Sequence, residues 1–106
     1  MPNIEQKILS KLVDDILAAG HRITVFDGEE DALKRSDDKA AILEACGSTC
    51  WDWLKVFDKQ RYVGAVMLVW GNGADLISDY AAKGDEGLAE VEALCAGADQ
   101  IAESAA

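Results

Sequence analysis

A chain of 106 residues, half of them apolar and with a single proline, has material for one folded domain and is not a disordered tail. Its formal charge of −10 and lack of clustered Lys and Arg in the sequence disfavour a phosphate-backbone binder, and no apolar run approaches the ~20 residues of a membrane span. The first residues, MPNIEQKILS, show no charged segment followed by an apolar block and a cleavage site. The expectation is a single cytoplasmic domain over 1–106, without direct nucleic-acid binding or membrane contact. Residues 1–60 hold 12 acids and 8 bases, residues 61–106 hold 8 acids and 2 bases, so the C-terminal part is the more acidic. Such charge serves solubility, and it also suits an acidic surface aimed at a basic partner.

In chain order, Ile4, Ile8, Leu9, Leu12, Val13, Ile16 and Leu17 recur at helical spacing. They predict an amphipathic helix over 3–19, with Asn3 as N-cap and Gly20 at the left-handed position after its end. His21 follows as an exposed loop residue. Residues 22–27 read as a strand, Asp27-Gly28 as a turn, and 32–35 as the returning strand of a hairpin with an acidic tip. Ser36 or Asp37 caps a second helix running to Cys46, where Gly47 ends it.

Residues 51–58, WDWLKVFD, form the third strand, and a turn over Asp58–Arg61 leads into the apolar run Tyr62–Gly71. An even loop puts Phe57 opposite Tyr62, Lys55 opposite Gly64 and Trp53 opposite Val66, with Val56 opposite Val63 and Leu54 opposite Ala65. Asn72-Gly73 reads as a two-residue hairpin turn that sets Leu68 opposite Ile77 and Val69 opposite Leu76. One face then carries Trp51, Trp53, Phe57, Tyr62, Val66, Leu68 and Ile77. The other carries Leu54, Val56, Val63, Ala65, Met67, Val69 and Leu76. A one-residue slip at this turn exchanges the faces of the last strand. Asp85 caps the final helix, striped by Leu88, Val91, Leu94, Cys95, Ala98, Ile101 and Ala102, weakened by Gly87 and Gly97, and frayed over its last Ser-Ala-Ala. The expected fold is α+β: a mainly antiparallel sheet of about five strands with three helices, in the order α-β-β-α-β-β-β-α.

The segments DGEEDALKRSDDKAAIL, Asp27 to Leu43, and LVWGNGADLISDY, Leu68 to Tyr80, resemble a group of small uncharacterised bacterial proteins often encoded near phage or plasmid genes. The resemblance spans roughly residues 20–80. It implies a shared fold and a mobile-element setting, and it brings no activity with it. At Asp31 those proteins carry an aromatic residue, so this chain departs from their pattern there.

No catalytic, cofactor-binding or metal set assembles from the residue types. Asp27, Glu29, Glu30 and Asp31 form the densest acidic cluster, open to reading as a solvated turn, a partner contact or a cation ligand, without the spacing of an EF-hand loop. Lys34 and Arg35 follow at once and are expected to pair with these acids. Cys46 and Cys50 form a C-x3-C pair and Cys95 lies on a helical stripe. Packing is one reading of the pair, a redox or metal role another, and His21 is the single histidine available to join it. Asp75 and Asp79 lie on one side of the last strand, ~13 Å apart and too far to act on one bond. Trp51, Trp53, Phe57, Tyr62 and Trp70 are either core or, because three helices leave one side of a five-stranded sheet short of cover, an interface. The leading expectation is an acidic protein-interaction domain, homodimeric or bound to a protein partner. One concrete version is a mobile-element modulator or inhibitor of a host nucleic-acid-handling complex. The alternatives are an antitoxin or immunity partner, and an enzyme or small-ligand binder with a pocket between sheet and helices that recruits Tyr80, Asp79 or Cys50.

Overall fold

The structure, a computed structural model, describes residues 3–59 and 61–105. The helices are α1 (Ile4–Ala18), α2 (Lys39–Ala45) and α3 (Asp85–Ala105). The strands are β1 (Arg22–Phe26), β2 (Asp31–Ser36), β3 (Trp51–Asp58), β4 (Arg61–Val69) and β5 (Ile77–Ala82). The strands form one antiparallel sheet in the spatial order β2-β1-β3-β4-β5. The α+β class, the five strands and the order of elements agree with the sequence reading.

Local chemistry explains the boundaries. Asn3 Oδ1 accepts the Gln6 N–H at 2.9 Å, which satisfies a free amide of the first turn of α1. Gly20, at φ +86, turns the chain into β1. The second helix starts later than expected: Ser36 belongs to β2, and Asp38 is the cap, its carboxylate accepting the Ala41 N–H. The third helix includes Asp85, with the Gly84 carbonyl accepting the Leu88 N–H. It runs through Ser104 and Ala105, and Ala106 lies outside the described residues.

Two corrections concern register. In the β3–β4 pair, Phe57 does face Tyr62, but Val56 faces Gly64, so Val63 is an extra residue in β4. Beyond this bulge every pairing moves by one: Lys55 faces Ala65, Leu54 faces Val66 and Trp53 faces Met67. A one-residue shift exchanges faces. Val66 and Leu68 therefore turn towards the helices, and Ala65, Met67 and Val69 turn away. The turn between Asp58 and Arg61 keeps its even length, and its Gln60 lies outside the described residues.

The second correction is at Asn72-Gly73. Asn72 has φ −102, so the left-handed pair that a two-residue turn requires is absent. The chain instead makes a wider connection with a 3-10 turn over Gly73–Asp75, closed by the Val69 N–H to the Leu76 carbonyl at 2.9 Å. Glu5 of α1 holds it, accepting the Gly71 N–H at 2.7 Å and the Asn72 N–H at 3.2 Å. Leu68 still faces Ile77, and an irregularity then puts Met67 opposite Asp79.

All three helices lie on one side of the sheet. Helix α1 packs between α2 and α3, while α2 covers β1 and β2 and α3 covers β4 and β5. The core between the layers is aliphatic. Ile8, Leu12, Ile16, Ile23, Val25, Leu54, Val56, Val66 and Leu68 are fully buried in it. Each such side chain contributes about 1.5–3 kcal/mol of burial free energy. Of the two glycines expected to weaken α3, Gly87 has a packing role against β4, together with Gly64 of that strand. A Cβ at Gly87 would sit 2.7 Å from the Val63 carbonyl oxygen, and one at Gly64 would sit 2.5 Å from Val91 Cγ2. Both residues let α3 approach β4 more closely than any side chain allows.

Candidate functional site: the open face of the sheet

Alternation along the strands leaves a second set of side chains on the face without helices. Along β3 these are Trp51, Trp53, Lys55 and Phe57, each half-buried, between the fully buried Asp52, Leu54 and Val56. Phe26 comes from β1, Tyr62 and Met67 from β4, and Ala81 from β5, by register with the same set. The aromatic rings support one another. Phe26 and Trp51 lie with centroids 6.4 Å apart, and Phe57 and Tyr62 meet edge to face at 5.7 Å.

Two cations lie flat on this surface. Lys55 Nζ is 4.7 Å from the Phe26 ring centroid and 3.3 Å from Asp31 Oδ1, and the Arg35 guanidinium is 4.6 Å from the Phe57 centroid. In the middle, Ala65 pairs with Ala81. These two small residues form the floor of a depression of about 230 Å³, walled by Phe26, Trp53, Lys55 and Tyr62. That volume is below the ~300–1,000 Å³ of usual small-molecule sites and suits an inserted side chain. Burial among these neighbours pushes the Tyr62 phenol above its ordinary pKa.

Four of the five aromatic residues singled out from sequence, Trp51, Trp53, Phe57 and Tyr62, therefore share one surface. Trp70 does not. It lies beyond the end of β4, packs against the aliphatic core, and donates its Nε1–H to Asp52 Oδ2 at 2.7 Å. Asp52 is the residue that sequence reasoning missed. It is fully buried, its Oδ2 also accepts the Gly47 N–H at 2.8 Å, and its Oδ1 has no partner among the described residues. It pins the loop after α2 to the end of the sheet. Its position in step with Leu54 and Val56 was the available signal that it points inward.

The acidic cluster divides. Asp27 Oδ1 accepts the Glu29 and Glu30 N–H groups, and these backbone donors, Glu30 first, hold its carboxyl below the usual pKa. Glu29 and Glu30 are exposed at the hairpin tip. Asp31 is not at the tip; it opens β2 and pairs with Lys55 on the open face. Arg35 likewise turns from the hairpin acids to the Phe57 ring.

His21 is buried rather than exposed, with Nε2 3.1 Å from Glu90 Oε1 of α3. Asp75 sits in the 3-10 turn, so it does not share a strand side with Asp79. Asp79 and Tyr80 point to opposite faces, Tyr80 Oη reaching Asp99 of α3 at 3.3 Å, and the structure brings neither together with the exposed Cys50. Cys95 is buried and Cys46 half-buried; all three thiols are free. Desolvation raises the thiols of Cys46 and Cys95 to about 12, helped by Asp52 at the first and by Asp99 and Glu92 at the second. Among the described residues, no group of three or more His, Cys, Asp or Glu side chains converges as a metal site, and no helix is long and apolar enough to cross a membrane.

Comparison with protein-family models, curated proteins and solved structures finds no match to this chain.

Proposed function

We propose that this chain is a protein-interaction domain that binds through the open face of its sheet, with a second copy of itself as the partner. The observation that carries this is the aromatic face itself: five large rings, Phe26, Trp51, Trp53, Phe57 and Tyr62, together with Met67 and a depression floored by Ala65 and Ala81, with no helix above them. Aromatic rings around a pocket that takes an inserted side chain are the usual anchor of a protein interface. The charged groups on this face are of both signs, Lys55, Arg35 and, by register with Phe57, Arg22, against Asp31 and Asp79. Two copies can therefore meet here without bringing their excess acid together. Asp31, the position at which the chain departs from the proteins it resembles, lies on this face and is a natural place for pairing preference to differ.

Sedimentation equilibrium tests the proposal. At about 100 µM, two orders above a micromolar dissociation constant, the native chain is expected to be dimeric. Ala65→Arg, which puts a charge on the floor of the depression, is expected to be monomeric with an unchanged far-UV spectrum. A native chain that stays monomeric at that concentration, or a dimer that Ala65→Arg leaves intact, overturns it.

A further inference from the structure

The search for a site outside the aromatic face leads to the end of the sheet where α1 passes into β1. Gly20, Arg22, Arg35 and Lys59 line one cleft there, of about 490 Å³. Three of its four lining residues are cations and none is acidic, in a chain whose formal charge is −10. The nearest carboxylates are weakly engaged. Asp37 Oδ2 is 4.0 Å from the Arg22 guanidinium, with both side chains more than half exposed. Asp58, next to Lys59, is 3.8 Å from Arg61. Exposed pairs of this length neutralise little.

The backbone at this cleft is unusual. Among the described residues, only Arg35 and Lys59 are non-glycine residues with positive φ, at +44 and +56. Both line this cleft. Arg35 lies in a bulge: between the pairs Ile23–Ser36 and Val25–Leu33, β2 places two residues against Thr24 alone. The buried Thr24 hydroxyl accepts the Arg35 N–H at 2.9 Å, and the Phe57 ring supports the guanidinium. Lys59 opens the two-residue connection between β3 and β4. Left-handed backbone is the ordinary place of glycine, so a long cation at both positions is held there against the local preference.

We infer that this cleft is a binding site for a phosphate-type oxyanion, free or carried on a small molecule. Two guanidinium groups offer planar forks of N–H donors that match such an anion, and Lys59 adds a third charge. The fixed backbone at Arg35 and Lys59 limits the ordering that binding would otherwise require. The cleft lies outside the aromatic depression but shares Arg35 with the open face, so anion binding here and pairing of that face draw on the same guanidinium.

The test is a titration of backbone amide NMR shifts with sodium phosphate and with sodium pyrophosphate, in about 0.1 M NaCl so that the field of the whole chain is screened beyond ~10 Å. The expected result is saturable shifts centred on Gly20, Arg22, Arg35 and Lys59, which sodium chloride at matched ionic strength does not reproduce. Arg22→Gln and Lys59→Gly are each expected to weaken binding by about fivefold or more, the loss of one charged hydrogen-bond donor. Lys59→Gly also separates a site from a scaffold: its thermal midpoint should hold or rise while affinity falls, because glycine suits φ +56. Tighter binding of pyrophosphate than phosphate points to a polyphosphate-bearing ligand, and equal binding to phosphate itself. Shifts that fail to saturate, that chloride reproduces, or that both variants leave unchanged overturn the assignment.

Discussion

The two faces of the sheet are built from alternate residues of the same strands, yet they are made of different material. Towards the helices β3 and β4 present Leu54, Val56, Val66 and Leu68, all fully buried. Away from them the same strands present Trp51, Trp53, Phe57, Tyr62 and Met67, half-buried and resting on one another. Branched aliphatic side chains gain by complete removal from water in a close-packed layer. Large rings with a polar edge tolerate partial exposure and keep area available for a partner. The difference in residue type thus records which face is closed by the fold and which is left to be closed by something else.

A matched pair of truncations tests this most directly, with the largest expected effect. Leu54→Ala should cost about 2–5 kcal/mol, the range for a cavity in a packed core. Met67→Ala, on the neighbouring strand but the opposite face, should cost less than about 1 kcal/mol in the monomer. Urea unfolding of both variants, in the Ala65→Arg background that keeps the chain monomeric, gives the comparison. Equal losses would mean that the open face is as tightly packed as the closed one, and the distinction would collapse.

Asp52 is the exception within the closed face, and it sharpens the comparison. It stands in line with Leu54 and Val56, where an aliphatic residue belongs, and accepts two hydrogen bonds there. Asp52→Ala leaves the Gly47 N–H and the Trp70 indole N–H without their partner. The expected cost is about 2–4 kcal/mol, from two part-buried N–H groups left without their acceptor, with partial rescue by water. A loss below that of Met67→Ala in the same unfolding assay would show that the loop after α2 needs no anchor.

Much of this fold is legible in the sequence, for identifiable reasons. The spacing of Ile8, Leu12 and Ile16 has the helical period, and Asn3 and Gly20 mark the ends of that helix by side-chain and backbone chemistry that acts locally. Strand register depends on a residue that no local rule marks. Val63 is apolar like its neighbours, so nothing in Tyr-Val-Gly-Ala-Val shows that it is the extra one; the close approach of α3 at Gly64 and Gly87 favours that solution only once the helix is in place. Because register decides the faces, the aromatic surface was readable on β3 and at Tyr62, which precedes the bulge, and Ala65, Met67 and Ala81 were not. The Asn72-Gly73 turn failed for a similar reason, since Glu5, more than sixty residues away in the chain, supplies the acceptor that holds a wider turn. The cationic cleft joins residues from three separate segments, and only tertiary structure brings Arg22, Arg35 and Lys59 together.

A pH-dependent effect comes from the thiols of the closed side. Cys46 and Cys95 are raised from 9.0 to about 12 by desolvation, so the folded chain keeps both protons when the unfolded chain has begun to lose them. Below pH 9 both states are protonated and the thiols leave stability unchanged. Above it the unfolded state binds fewer protons than the folded one, so stability falls as pH rises from 9 towards 12. Tyr80 acts in the same direction from its ordinary value of 10.0, raised by burial and by Cys95 and Asp99. Urea midpoints should therefore decline from pH 9 to 11 while far-UV spectra at zero denaturant stay constant. Cys46→Ser combined with Cys95→Ala should lower the midpoint at pH 8 yet make the alkaline decline shallower. In the native chain a thiol reagent at pH 8 should label the exposed Cys50 well before the other two, whose thiolate forms are suppressed. A decline that the double variant leaves as steep, with Cys46 labelled as fast as Cys50, would mean that water reaches the closed side of the sheet and that its two faces differ less in access than in residue type.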